Sequence, residues 1–204
     1  INEYKLTEHS SYNALKVNNS GLPDIEMKYV NNVEELRCFD FDRISDILPF
    51  KDLRYIENRF FDYPFYSYDV FSVHELNEQI AQNIVVCRKA VAKDEKGKDI
   101  ASAYRIVDFY GSEDLLPAII VLLFDRVRQQ GDEFLDFVCH GFDDNLLKQA
   151  GMNSLNFNSL DVIIPNLFEP LVKKNIPVNC VSDLSTGISR HCRADGDTDR
   201  PSFF

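Results

Sequence analysis

From Tyr66 to Tyr110 apolar and polar positions alternate as they do along strands, and from Leu115 the spacing becomes that of a helix. Tyr66–Leu76 is rich in aromatic and β-branched residues, which suit a pleated surface, and predicts a first strand. Ile80–Ala92 repeats the signal around Ile84, Val85, Val86 and Cys87. The charged run Lys93–Asp99, with Gly97 at its bend, predicts a turn into a third strand over Ile100–Tyr110. Two successive hairpins of this kind make an antiparallel meander.

Leu115–Gln130 is apolar on most of its circumference as far as Asp125, so it predicts a helix packed into a sheet, with Ile119, Leu122, Leu123 and Val127 facing that sheet. Gly131 ends it as a left-handed cap would. Glu133–Cys139 predicts a short strand, Asp143–Ala150 a short helix closed by Gly151, and Leu155–Ile164 a further strand. A strand, a long helix and a strand form a crossover, so strands 100–110 and 133–139 are expected to run parallel. The fold class is therefore α/β of the α+β mixed-sheet kind, a central twisted mixed sheet flanked by helices.

The flanks are less regular. Residues 1–30 are polar, turn at Asn18-Asn19-Ser20-Gly21 and Pro23, and predict a linker or the end of an upstream region, leaving 31–204 as one domain. The first residue is Ile1, which suggests a fragment with further chain before it. Asn32–Phe61 predicts mostly helix, from Val33, Leu36, Ile44, Ile47, Leu48, Leu53 and Ile56 at mixed three- and four-residue spacings, broken by Pro49.

With 204 residues, 45% of them hydrophobic, the chain can bury a core. Its net charge of -11 repels a nucleic-acid backbone. The longest apolar run, Leu115–Phe124, is ten residues against the roughly 20 that span a bilayer, so no membrane span is expected. Five cysteines, odd in number and without CxxC spacing, favour reduced thiols and a cytoplasmic setting over a disulfide framework. Cys139-His140 and His191-Cys192 could meet at zinc only against the strand rule that neighbours point to opposite faces, so no metal is expected.

The element order of meander, crossover helix, strand and short helix resembles the GNAT acyltransferase superfamily over about Tyr66–Phe168. Tyr55-Ile56-Glu57-Asn58-Arg59-Phe60 with Tyr63-Pro64-Phe65-Tyr66-Ser67-Tyr68 is similar to an entry segment of GNAT-like proteins, and Ile164–Pro170 and Ala194–Pro201 resemble segments of GNAT-like proteins of bacterial surface-polysaccharide clusters. The resemblance implies an acyl group passed from acetyl-CoA or another acyl-CoA to an amino- or hydroxyl-bearing small molecule, with a surface-polysaccharide sugar as one such acceptor. It also implies that the loop after the third long strand, Phe109, Tyr110, Gly111 and Ser112, holds the cofactor through backbone N–H groups. This loop departs from the family's pattern. It has one glycine and no cation, Glu113 and Asp114 stand where phosphates would lie, and Pro117 removes an N–H from the first helical turn. The alternative function is accordingly a catalytically silent GNAT-like module that binds a ligand or partner. The oligomeric state is open, a homo-oligomer included.

In the resembling fold the parallel strands part at their C-terminal ends and the thioester lies between them. That places His140, Asp108 and Tyr110 as candidate catalytic groups, with His140 as the base. Tyr104 is a further candidate proton donor. Asp136, Cys139, Asp195 and Asp197 are candidates for the acceptor pocket. Each has a plainer reading: His140 as a surface residue before Gly141, and Asp108 and Asp136 as ion-pair partners of Arg105 or Arg88. Asp195-Gly196-Asp197-Thr198-Asp199 fails as a calcium loop because Arg200 stands where the turn requires glycine. A clasp of Asp199 with Arg200 or Arg193 is the structural reading of that segment.

Overall fold

The computed structural model describes residues 21–157, 162–168, 171–179, 188–196 and 199. Five strands form one mixed sheet: β1 (Ile25–Tyr29), β3 (Asp69–Glu75), β4 (Asn83–Lys93), β5 (Asp99–Gly111) and β6 (Leu135–Phe137), in the order β1-β3-β4-β5-β6. β1, β3, β4 and β5 pair antiparallel in that order, and β6 joins β5 in parallel after the helix α2 (Leu116–Gln130). The expected meander and the expected parallel pair are both present.

Alternation along the strands divides the core. Phe71, Val73, Val85, Cys87, Tyr104 and Ile106 face α2, while Val70, Ile84, Val86, Val107 and Tyr110 face the segment between residues 30 and 68. On α2 the buried stripe is Leu116, Ile119, Ile120, Leu123 and Val127. Leu122 is not in it: the residue is 36% exposed. At 3.6 residues per turn it lies roughly a third of a turn off the middle of that stripe, so its expected sheet contact is corrected.

Three other expectations change. Part of the stretch read as a linker, Ile25–Tyr29, is the edge strand β1, which earns its place through backbone pairing with β3 rather than through an apolar pattern. The stretch 32–61 is not mainly α-helix. It holds two 3-10 turns, Val33–Cys38 and Phe41–Ile44, a two-residue strand β2 (Ile47–Leu48), one α turn α1 (Leu53–Ile56) and a π turn over Glu57–Phe61. Asn32, Asp40 and Asp52 each cap the turn that follows them, so local side-chain bonds divide the segment into short pieces. Of the strand expected over 155–164, residues 158–161 lie outside the described residues and the remainder forms no strand.

Beyond β6 the chain makes β7 (Cys139–His140) and α3 (Asp144–Gln149). A late segment then returns as β8 (Ile188–Ser189), parallel to β2, and β9 (His191–Cys192), antiparallel to β7. It passes so close to Gly141 that a Cβ there would lie 1.9 Å from the Ser189 carbonyl oxygen, at a φ of +82°. No helix among the described residues is long and apolar enough to cross a membrane.

Candidate functional site

β5 does not end as a plain strand. Val86 pairs with Asp108 and Cys87 with Ile106, so Val107 is one residue too many and the strand bulges there. Its last residue, Gly111, has a φ of +103°, and a side chain at that position would strike the Gln82 carbonyl at 2.4 Å. Buried Asn83 holds the turn by donating to the carbonyls of Tyr110 at 3.0 Å and Ser112 at 2.8 Å. Ser112 then caps the helical turn that runs into α2. Bulge, left-handed glycine and helix N-terminus thus follow one another at the end of β5.

The bulge presents Asp108 to an ion cluster that crosses the chain. Lys51 Nζ lies 2.6 Å from Asp108 Oδ1 and 2.8 Å from Asp195 Oδ1, and all three side chains are less than 10% exposed. Tyr110 donates its hydroxyl to Asp108 at 2.7 Å, and the Phe109 N–H donates to the same carboxylate. Burial pulls the ammonium of Lys51 down, but Asp108 first among its neighbours more than reverses this and leaves it raised. Burial pushes Asp108 up, with Lys51 opposing, and holds the Tyr110 phenol well above its ordinary value, Asp108 adding to the effect. Asp108 and Tyr110, both candidate catalytic groups, are therefore brought together, but as buried partners of a lysine.

Asp108, Asp195 and Cys192 bring potential metal-ligand atoms within 4.8 Å of one another. Lys51 already supplies a positive charge bonded to both carboxylates. The other grouping considered for zinc does not converge. Cys139 pairs with Cys192 and His140 with His191, so the cysteines share one face of the ladder and the histidines the other.

β5 and β6 part after the pair Ile106–Phe137. β9 and the turn after it pack into the resulting gap. Arg193 reaches Asp136 at 2.9 Å and Asn166 Oδ1 at 2.6 Å, while Arg105 stands 3.7 Å from Asp136 and donates to the Asn166 carbonyl at 2.7 Å. Asp195 accepts from the Cys192 N–H at 2.7 Å as well as from Lys51. Asp136 is thus the ion-pair partner of Arg105 that its plainer reading expected. Asp108 is paired too, but with Lys51 rather than with either arginine. Arg88 instead binds Asp199 at 2.7 Å, as does Arg59 at 3.3 Å, and Tyr68 donates to Asp199 at 2.8 Å. The clasp at Asp199 therefore exists with Arg88 and Arg59 where Arg193 had been expected; Arg200 and Asp197 lie outside the described residues. His140 is exposed, with its ring 6.4 Å from that of His191. Cys139 is partly buried, and Tyr104 donates to Asp69 at 2.5 Å on the α2 side of the sheet.

The loop itself is not without a cation. Arg190, from the turn between β8 and β9, pairs with Glu113 and donates to the Gly111 carbonyl at 3.1 Å. The other oxygen of Glu113 accepts from the Asp143 N–H at the start of α3, at 2.7 Å. Glu113 is therefore no free negative charge at the helix N-terminus. Arg190 and Lys51 also line a small cavity of about 20 Å³ with Pro49, Phe109, Tyr110 and Gly111. That is room for about one water. Sequence reasoning missed both cations. Lys51 follows Phe50 in an irregular stretch and Arg190 stands 77 residues from Glu113, and neither position carries a local signal.

No protein-family model matches the chain, and no curated protein matches it. Among solved structures it is similar to glucosamine-6-phosphate N-acetyltransferase from Arabidopsis thaliana, with a TM-score of 0.46 and 10% identity, over 66% of this chain and 95% of that one.

Proposed function

We propose that this chain is a GNAT-like acyltransferase domain that passes an acyl group from acyl-CoA to an amino- or hydroxyl-bearing small molecule. The supporting observation is the end of β5: a bulge at Val107, the left-handed Gly111 and the capped start of α2, beside the point where β5 and β6 part. In that reading the N–H groups of the loop and the Arg190 guanidinium receive the anionic end of the cofactor once Glu113 gives way. His140, exposed at the end of β7, is the base for the incoming amine or hydroxyl. Asp108 and Tyr110 hold the frame through Lys51 and do not reach the substrate. The acceptor enters over Cys139 and Asp195, and a surface-polysaccharide sugar is the acceptor class that the sequence resemblance suggests.

A second reading rests on a different observation. Cys192, Arg193 and Asp195 fill the gap between β5 and β6 in which a thioester would lie, and Arg193 and Asp195 are tied there by buried ion pairs. A domain with that gap sealed is a silent ligand- or partner-binding module. Calorimetry with acetyl-CoA, longer acyl-CoAs and free CoA separates the two. Binding that weakens with added salt is expected for the acyltransferase; no heat at millimolar ligand would leave the silent module as the account.

A further inference from the structure

We infer that Cys139 and Cys192 form a built-in redox pair that closes to a disulfide and staples β9 to β7. They are direct partners in an antiparallel ladder, so their side chains leave the same face of it. Such partners hold their Cβ atoms about 4.5–5.5 Å apart. A disulfide needs about 3.5–4.5 Å, so closure is a shift of about 1 Å in a ladder only two residues long. Both thiols are free.

The position gives the bond a consequence. β9 sits in the segment that carries Arg190 to Glu113, Arg193 to Asp136 and Asp195 to Lys51. Besides those ion pairs, two two-residue ladders and hydrogen bonds to Gly111 and Asn166 hold the segment. A covalent link at Cys192 fixes all three charged groups at the gap between β5 and β6. The inference stands on the ladder and holds whichever function the domain has.

The chemistry balances with a soluble disulfide such as glutathione disulfide as oxidant. Cys139, the more accessible thiol, attacks as thiolate and one glutathione thiolate leaves. Cys192 then loses its proton and attacks the Cys139 sulfur, releasing the second glutathione. Two protein thiols give up two protons and two electrons, and the oxidant takes up both. Burial, then Asp144 and Glu113, push the Cys139 thiol up to about 12. Burial and Asp108 push Cys192 well up too, so the exchange is slow at neutral pH.

The test treats the folded full chain with glutathione disulfide for hours at mildly alkaline pH, then maps peptides without reduction. The expected result is one cross-link joining Cys139 to Cys192, the loss of two free thiols, and a rise in Tm of roughly 5–10 °C that dithiothreitol reverses. Cys139→Ser should abolish both the cross-link and the rise. Free thiols at both positions in folded protein, a product that stops at a mixed disulfide, or pairing of either residue with Cys38 or Cys180 would overturn the inference. The mapping is done on the unmutated chain, so it does not depend on any variant folding.

Discussion

The two faces of β5 are built by different physics. The face toward α2 carries Tyr104, Ile106 and Phe109 and is closed by an apolar helix that follows in the chain almost at once. The opposite side carries Arg105 and Asp108, whose partners include Lys51, Pro165 and Asn166, 57 to 61 residues away. Asp195, the second partner of Lys51, is 144 residues from it. Apolar burial is non-directional, so any helix of the right period closes the first face. Buried charges tolerate few arrangements, and the second face therefore depends on a distant segment arriving in register.

The sharpest way to break the contrast is to remove the central cation. Lys51→Met leaves Asp108 and Asp195 buried against each other and should cost about 3–5 kcal/mol in denaturant unfolding. A loss below about 1 kcal/mol would mean that the ionic face contributes no more than a surface pair. On the apolar face Leu123→Ala should cost about 2–5 kcal/mol, whereas Leu122→Ala, one residue away and 36% exposed, should cost far less. Equal losses at the two positions would show that the buried stripe of α2 is misassigned. At the loop, Glu113→Gln removes the carboxylate that occupies Arg190, and acyl-CoA should then bind about tenfold more tightly, a change of about 1.4 kcal/mol. Unchanged or weaker binding by calorimetry would count against an anion site at this loop.

The smallest expected effect is on the alkaline side. The Cys139 thiol is held up to about 12 against an ordinary 9.0. Between those values the folded chain keeps a proton that the unfolded chain has lost, so stability falls as pH rises. The contribution is complete below about pH 9 and should have dropped by about 1 kcal/mol near pH 9.5, as for any such group. Cys139→Ser should make that slope shallower, with the raised thiol of Cys192 contributing to what remains, and a slope left unchanged by the substitution would assign it to other groups.

How much was readable in advance follows the same division. The meander, α2 and the parallel return of β6 were legible because strand alternation, a charged turn at Gly97 and a left-handed stop at Gly131 are all local signals. Leu122 was misplaced because Leu115–Phe124 is apolar nearly all round, and such a run does not show which side is inward. β1 was missed because an edge strand needs only backbone pairing and its own residues alternate weakly. Of the candidate site, Asp108 and Asp136 were recognisable as acids set among apolar strand neighbours. Their partners Lys51 and Arg193 were not, and Glu113 looked like an unanswered charge because Arg190 enters from another part of the chain.

By itself, then, the sequence determined what short-range forces decide: the order of the elements, the antiparallel meander and the crossover. Only the tertiary structure decided that β9 and Arg193 would fill the gap between β5 and β6, that Lys51 would serve two aspartates, and that Cys139 would face Cys192. The physical reason is reach. A hydrogen-bonded turn or an amphipathic stripe is specified within a dozen residues. A buried ion pair or a cross-strand pair is specified only when two distant segments are brought within a few ångströms.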